Sequence, residues 1–251
     1  MQRAIGHTKI QFDHIDSTNN YANELFKTKS QLHGTVVVTD YQNSGKGQKG
    51  NHWESEKGKN LTFTLLLEPK DLKIGNQFYI SQAISLAIVS YLRQKGVDKV
   101  QIKWPNDIYV SHKKICGILI ETQWLATEIK QAIAGVGLNV NQREFISDAP
   151  NPISITQITS IDYNLQEEFT LLLDELETYW QVMENHPEKL DTAYHQDLYL
   201  KGQWTKFKDQ NGIFEGKIIG VNEYGQLIIE DRTLQQRVYN FKEVSLASMN
   251  S

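Results

Sequence analysis

Three observations in the 251-residue sequence predict an α+β fold: a mixed, largely antiparallel sheet with helices, followed by a small β unit. Strand-like runs between residues 100 and 141 are joined by tight turns, the connection that antiparallel neighbours use. Two long segments, Phe78–Leu92 and Leu165–Met183, carry their apolar residues at helical spacing. From Gly202 the texture changes to short strands with turn signals, about fifty residues of them, which predicts an SH3-like β-barrel. The boundary falls near Tyr199–Gly202, giving a first unit over 1–199 and a second over 200–251.

Bulk properties exclude several classes. The chain is long enough to bury a sizeable core. A formal net charge of −4 gives no whole-chain case for nucleic acid or an acidic membrane surface. Cys116 is the single cysteine, so an internal disulfide is excluded and a reducing compartment is expected. It lies in a strand-like run and reads as a small buried side chain, not a nucleophile. The N-terminus lacks the apolar core of a signal peptide, and no run approaches a membrane span. A cytoplasmic protein without a membrane partner is expected.

In chain order, Lys9–Ile15 alternates as a strand and Asp16-Ser-Thr-Asn-Asn20 offers several N-cap oxygens to a helix from Tyr21. One cap would suffice, so the surplus hints at a site. Gly34–Asp40 and Asn60–Leu67 are strands flanking the loop Tyr41–Trp53, which holds Gly45, Lys46, Gly47, Gln48, Lys49 and Gly50. Clustered glycines let backbone N–H groups converge on an anion, and lysines add charge. Alone, the loop leaves a phosphate nest and a solvated turn both open. It is not a P-loop, and a strand follows it where a dinucleotide fingerprint needs a helix.

The stripe Phe78 to Leu92 is core, capped by Gly96. Val100–Val110 runs as a strand into Lys103-Trp104, breaks at Pro105-Asn106 and resumes at Asp107. That break places Lys103, Trp104, Asn106 and Asp107 side by side in mid-sheet, which is costly for packing alone. After a turn at Ser111–Lys114, the strand Lys114–Thr122 is apolar nearly throughout and expected to be buried on both faces. Lys114 opens it, either as a snorkelling edge residue or as a working charge. The strand Glu128–Asn141 thins to Ala134, Gly135 and Gly137, which suggests that a ligand or another backbone comes close. Short helices are expected near Ile153–Thr159, and a last helix over Pro187–Tyr199. Trp124, Trp180 and Trp204 read as packing residues. The seven histidines show no metal spacing, and His52 in the loop reads as solvated.

Five stretches, Asp16–Asn20, Tyr41–Trp53, Lys103-Trp-Pro-Asn-Asp107, Lys114-Ile-Cys-Gly-Ile-Leu-Ile-Glu121 and Gly135-Val-Gly-Leu-Asn139, stand together in an order that resembles the biotin protein ligases. The resemblance covers nearly the whole chain. It implies a class II synthetase-like catalytic core with a C-terminal barrel. The first shared motif begins at Asp16, so the resemblance is to the monofunctional type without a helix-turn-helix, and no DNA partner is expected. It further implies ATP and biotin as substrates with Mg²⁺, a biotinyl-5′-AMP intermediate, and transfer to a lysine of a biotin carboxyl carrier domain.

By the same resemblance, Lys114 is the catalytic lysine, acting on the biotin carboxylate and the α-phosphate. Ser17, Thr18 and Gln42 match positions for the ureido ring, with Trp53 against the biotin and the Gly117 backbone lining its pocket. Gly45, Lys46, Gly47, Gln48, Lys49, Gly50, Lys103, Asn106, Gly135 and Asn139 match the ATP and adenylate side, and Asp107 is the candidate for Mg²⁺. The loop is expected to close over the adenylate.

One departure stands out. The family loop is G-R-G-R-x-G-R, and three of its arginine positions are Lys46, Gln48 and Asn51 here. Lysine lacks the planar fork of arginine and Gln48 carries no charge, so looser retention of the adenylate is expected unless Lys49 takes over. Two rivals are a lipoate or octanoate ligase or transferase of the same fold class, and a non-catalytic biotin sensor. The acceptor's identity, the role of the C-terminal unit and a homodimer through an exposed sheet edge stay open.

Overall fold

The structure is a computed structural model, and it describes residues 5–47, 52–146 and 151–247. Seven strands form the main sheet: β1 (Thr8–Phe12), β2 (Thr35–Thr39), β3 (Leu61–Leu67), β4 (Val100–Lys103), β5 (Asp107–Val110), β6 (Lys113–Leu125) and β7 (Glu128–Leu138). Their order is β1-β2-β3-β7-β6-β5-β4, with β1 and β2 parallel and all other neighbours antiparallel. This is the mixed, largely antiparallel sheet that the turn-rich sequence predicts.

Both faces are covered, and period-two alternation sorts the residues between them. Leu61, Phe63, Leu65 and Leu67 of β3 join the main core, while Leu66 joins a smaller cluster around Ala22, Leu25 and Phe26. Those three belong to α1 (Thr18–Thr28), which packs on β2, β3 and β7. The opposite face carries α2 (Phe78–Gln94), α4 (Leu165–Asn185) and α5 (Pro187–Asp197). The stripe Ile80, Ala83, Ile84, Ala87, Ile88, Tyr91 and Leu92 is buried there as its spacing requires, and Gly96 follows at φ +73°. A short helix, α3 (Ile155–Thr159), carries a capping box between Ser154 and Gln157.

Some expectations change. Pro105 does not interrupt a strand in mid-sheet. Lys103 pairs directly with Asp107 across a tight turn, so β4 and β5 are a hairpin at the sheet edge, with the Trp104–Pro105 peptide cis. The strand β6 is buried on both faces only around Ile115 and Cys116, and its far end runs into solvent with Trp124 67% exposed. Trp180 packs in the core as expected. Cys116 is fully buried, and burial pushes its thiol up.

The C-terminal strands β8 (Trp204–Asp209), β9 (Gly212–Val221), β10 (Leu227–Asp231), β11 (Gln236–Tyr239) and β12 (Ser245–Leu246) form a second sheet in the order β11-β10-β9-β8-β12. Among the described residues its end strands do not pair, so the expected barrel is an open five-stranded sheet. Its inner residues Phe207, Ile218, Leu227 and Ile229 continue the main core. His195 on α5 meets the Val221 backbone at 2.9–3.0 Å and secures the junction.

Candidate active site

Strand register places one row of residues across the sheet. Thr62 of β3 faces Gly137 of β7, Gly137 faces Gly117 of β6, Gly117 faces Asp107 of β5, and Asp107 faces Lys103 of β4. Directly paired residues share a face. The row therefore runs from a hydroxyl, over a floor of two glycines, to a carboxylate and a lysine. Above it lies a cavity of about 520 Å³ whose walls include Ser17, Thr18, Gln42, Lys46, Gly47, Trp53, Lys103, Asn106, Asp107, Lys114, Gly117 and Gly135.

The glycines have a steric reason. A Cβ on Gly137 would stand 2.3 Å from Cε2 of Trp53, and one on Gly117 3.0 Å from its Cζ3. A Cβ on Gly135 would stand 2.2 Å from Oδ1 of Asn19. The close approach expected over β7 is thus made by two side chains of the protein, the Trp53 indole and the Asn19 amide.

Lys114 reaches this face through a slip in register. Asp107 pairs with Gly117 and Ile108 with Cys116, but Tyr109 pairs with Lys114, leaving Ile115 unmatched. Strict alternation would turn Lys114, three residues from Gly117, to the opposite face; the extra residue of a bulge restores it. Its Nζ lies 2.7 Å from Asp107 Oδ1 and 5.5 Å from the centre of the Trp53 ring. The cavity thus holds a half-buried ion pair beside an aromatic face.

The other end of the cavity is neutral and hydrogen-bonded. Ile15 and Asp16 run alongside Tyr41–Ser44 through three backbone bonds, Ile15 N to Tyr41 O, Asn43 N to Ile15 O and Ser44 N to Asp16 O. This brings the start of α1 against Gln42. Gln42 Oε1 accepts from Thr18 N at 2.7 Å and from Thr18 Oγ1 at 3.0 Å. Ser17 caps the helix, its Oγ accepting from Asn20 N at 3.4 Å. Thr64 Oγ1 lies 2.8 Å from Thr18 Oγ1 and 2.6 Å from Asn19 Oδ1, and Asn19 Nδ2 donates to Glu121 at 3.1 Å. Ser17, Thr18, Asn19 and Thr64 are all buried, so this network is rigid by the cost of breaking any one of its bonds.

At the β4–β5 turn, Asn106 Nδ2 donates to Ile118 O while Ile118 N donates back to Asn106 O at 2.9 Å. Lys103 Nζ donates to Tyr109 Oη at 2.9 Å. Burial pulls the Lys103 ammonium below the usual lysine range, with Asp107 opposing; burial pushes Tyr109 up to about 12. The far wall comes from the second sheet, through Phe207 and Leu246, and from its β11–β12 turn, through Phe241 and Lys242.

Two expected residues stand outside the cavity wall. Gly45 forms the neck of the loop: its O accepts from Trp53 N at 3.1 Å, and a Cβ there would meet Trp53 O at 2.7 Å. Asn139 is buried beneath, its Nδ2 donating to Ile153 O at 3.1 Å and its Oδ1 without a partner among the described residues. Gln48, Lys49 and Gly50, and with them the expected closure of the loop, lie outside the described residues. His52 is exposed, as expected of a solvated residue. Asn19, Thr64, Glu121 and Tyr109 were not singled out by sequence. For Thr64 a signal existed, since Thr62 and Thr64 are the only polar residues in Leu61–Leu67 and alternate onto one face.

The sequence model of the Biotin/lipoate A/B protein ligase family matches residues 11–139. The bifunctional ligase/repressor BirA of Bacillus subtilis is 27% identical over 241 residues, spanning 94% of this chain and 73% of that protein. The biotin–[acetyl-CoA-carboxylase] ligase of Paracoccus denitrificans is 26% identical over 234 residues, 85% of this chain and 90% of its own. Among solved structures, the biotin protein ligase from Aquifex aeolicus in complex with biotin and ATP superposes with a TM-score of 0.79 at 26% identity, over 96% of this chain and 99% of that one. The matched segment carries the glycine floor, the Lys114–Asp107 pair and the Thr18–Gln42 network alike, and the chain belongs to the biotin/lipoate A/B protein ligase family.

Proposed function

We propose that the protein is a biotin protein ligase: it activates biotin with ATP to biotinyl-5′-AMP and transfers the biotinyl group to a lysine of a biotin carboxyl carrier domain. The observation that carries this reading is the Lys114–Asp107 pair, 2.7 Å apart, at one end of a cavity whose other end is the neutral Ser17–Thr18–Gln42 network. A ureido ring is uncharged and wants donors and acceptors in a fixed array, while the reacting end brings two anions together. The cavity offers those two environments in that order, with the Trp53 face between them.

In the first step a biotin carboxylate oxygen attacks the α-phosphorus and pyrophosphate leaves. Lys114 offsets the repulsion between the carboxylate and the α-phosphate and stabilises the charge that builds on the phosphorus oxygens. Lys103 and Lys46 add positive charge along the triphosphate and Asn106 stands on the adenine side, with the Gly47 and Gly135 backbones lining the cavity; Asn139, buried beneath the wall, has no direct part in this reading. Mg²⁺ when bound supplies charge neutralisation on the triphosphate. Asp107 suits it as a single carboxylate, because Mg²⁺ keeps most of its ligands as water and phosphate oxygen, and among the described residues no three carboxylate, His or Cys groups cluster into a protein-only cage.

In the second step the carrier lysine, having lost its proton, attacks the acyl carbon. The acyl–phosphate bond breaks and AMP leaves, with Lys114 again beside the departing phosphate. Residues 1–199 form the catalytic unit on this reading, and 200–251 close its far wall. The cytoplasm, where Cys116 stays reduced, is the proposed compartment.

The test is biotin-dependent exchange of pyrophosphate into ATP. Wild-type protein is expected to exchange, and Lys114→Ala to lose about 10² to 10³-fold, the usual cost of removing one such stabilising group. Absence of exchange in the wild type overturns the enzyme reading, and exchange driven by lipoate but not biotin moves the substrate to the other branch of the family.

A further inference from the structure

Trp104 stands in the turn between β4 and β5 and lines the cavity, yet its one polar atom is turned elsewhere. Nε1 donates at 2.8 Å to the carbonyl of Gly225, in the turn between β9 and β10 of the second sheet. Its ring meets Phe241, in the turn between β11 and β12, edge to face at 6.2 Å between centres.

The acceptor is built to be held in place. Gly225 N donates to Asn222 O at 2.9 Å and Asn222 N to Gln226 O at 2.9 Å. Asn222 Oδ1 accepts from both Tyr224 N and Gln226 N, at 3.1 and 2.9 Å. Gly225 itself lies at φ +81°, and a Cβ on it would stand 2.7 Å from Phe78 Cδ2. The turn therefore presents its carbonyl from a rigid frame, packed on α2.

The neighbours of Trp104 are anchored to the main body of the protein. Pro105 O accepts from Ser81 Oγ of α2 at 3.3 Å, and Asn106 O accepts from Ile118 N of β6 at 2.9 Å. Trp104 is the residue of this turn whose hydrogen bond ends in the second sheet. One residue beyond Pro105 and Asn106 comes Asp107, the partner of Lys114.

We infer that Trp104 is a positioning residue: by gripping Gly225 and Phe241 it fixes the spacing between the catalytic turn and the C-terminal wall, and so the shape of the nucleotide end of the cavity. It acts through Asn106 and Asp107, not on the substrate. The inference rests on the adenylation reading above. It gives the second sheet a task in the first half-reaction, and it separates the two substrates, because the Ser17–Thr18–Gln42 end is tied to α1, β3 and Gln42 and owes nothing to this latch.

The experiment compares wild type with Trp104→Phe, which keeps an aromatic ring and loses the N–H, and with Phe241→Leu. Pyrophosphate exchange is measured against ATP and against biotin, and hydrogen exchange is followed at residues 222–226 and at Asn106 and Asp107. Trp104→Phe is expected to raise the KM for ATP about five-fold, the loss that one hydrogen bond to a fixed partner carries, with the KM for biotin within two-fold of wild type. Backbone exchange should quicken at 222–226 and at Asn106 and Asp107 together. Phe241→Leu should act in the same direction and less than additively with Trp104→Phe. An ATP KM within two-fold of wild type overturns the inference, as does an equal rise for both substrates accompanied by a lower Tm. If the wild type shows no exchange activity, the adenylation reading is what fails; the latch is then judged on hydrogen exchange alone, and unchanged protection at 222–226 in Trp104→Phe overturns it.

Discussion

Adding one methyl group to the floor of the cavity should disable it. In Gly137→Ala the new Cβ would lie 2.3 Å from Trp53 Cε2, 2.4 Å from Nε1 and 2.8 Å from Cζ2. An indole is rigid, so the ring must back away by about 1 Å to recover ordinary carbon–carbon contact near ~3.5 Å. Its own backbone is held at the loop neck by the bond from Trp53 N to Gly45 O at 3.1 Å, and Lys114 Nζ lies 5.5 Å from its centre, so retreat costs contacts on both sides. Overpacking of this kind costs roughly 1–3 kcal/mol, and at about 2–4 °C per kcal/mol for a chain of this size Tm should drop by several degrees. A misplacement near 1 Å beside reacting groups costs about 10²-fold in rate. The control is Gly117→Ala, where the same methyl would meet Trp53 Cζ3 at 3.0 Å and Lys114 Cε at 3.3 Å. There a few tenths of an ångström suffice, so its loss should stay below about ten-fold. Thermal melts and biotin-dependent pyrophosphate exchange on the two variants decide it. A third protein, Gly137→Ala with Trp53→Ala, should melt close to Trp53→Ala alone, because the clash has been removed. Equal effects of the two alanines, or a double variant no better than Gly137→Ala, would refute the steric account of the floor.

Two further outcomes are expected. Gln48→Arg restores the charge and fork that the family loop carries at that position, and should slow release of preformed biotinyl-AMP about ten-fold, the value of one charge-assisted hydrogen bond; an unchanged off-rate in a filter-binding chase removes the idea that this loop retains the adenylate loosely. His33 is buried against Trp180, its Nδ1 accepting from Glu68 N at 3.1 Å, and burial holds its pKa down. A histidine whose folded pKa is depressed contributes stability that is present above the unfolded value of about 6.5 and is lost as pH falls through the folded one. Melting temperature should therefore drop between about pH 7 and pH 5 and drop less in His33→Asn, whose side-chain oxygen can still accept from Glu68 N; parallel pH curves for the two proteins would exclude this histidine as the source.

Much of the fold was legible because its signals are local. The apolar stripes from Phe78 to Leu92 and from Leu165 to Met183 gave α2 and α4 nearly to their ends, since a 3.6-residue period needs no distant partner. What failed depends on pairing over long range. Whether the short strands after Gly202 close into a barrel is decided by whether β11 meets another strand, and nothing within residues 236–239 says which. Proline forbids a ladder donor, so the sequence alone points to a break in mid-sheet at Lys103–Asp107. A turn between two partners explains the same proline equally well, and only the register Lys103 to Asp107 tells them apart.

The site shows the same division in sharper form. Glycines at 135 and 137 say that something approaches the strand too closely for a Cβ; the sequence points to a ligand or another backbone, and the structure puts two side chains there, with Gly117 under the same indole. Trp53 and Asn19 fill that space from 64 and 116 residues away along the chain from Gly117 and Gly135 respectively. The orientation of Lys114 was hidden for a related reason. Counted by twos from Gly117 it belongs on the core face, where a lysine would carry an uncompensated buried charge. The unmatched Ile115 turns it toward Asp107 instead. A bulge is a fact about two strands, visible only where Asp107 and Tyr109 choose their partners, so one strand's pattern cannot reveal it. The charge on Lys114 was therefore the better guide: a lysine at the head of a buried strand needs a carboxylate, and Asp107, read as a site residue on other grounds, was the carboxylate within one hairpin of it.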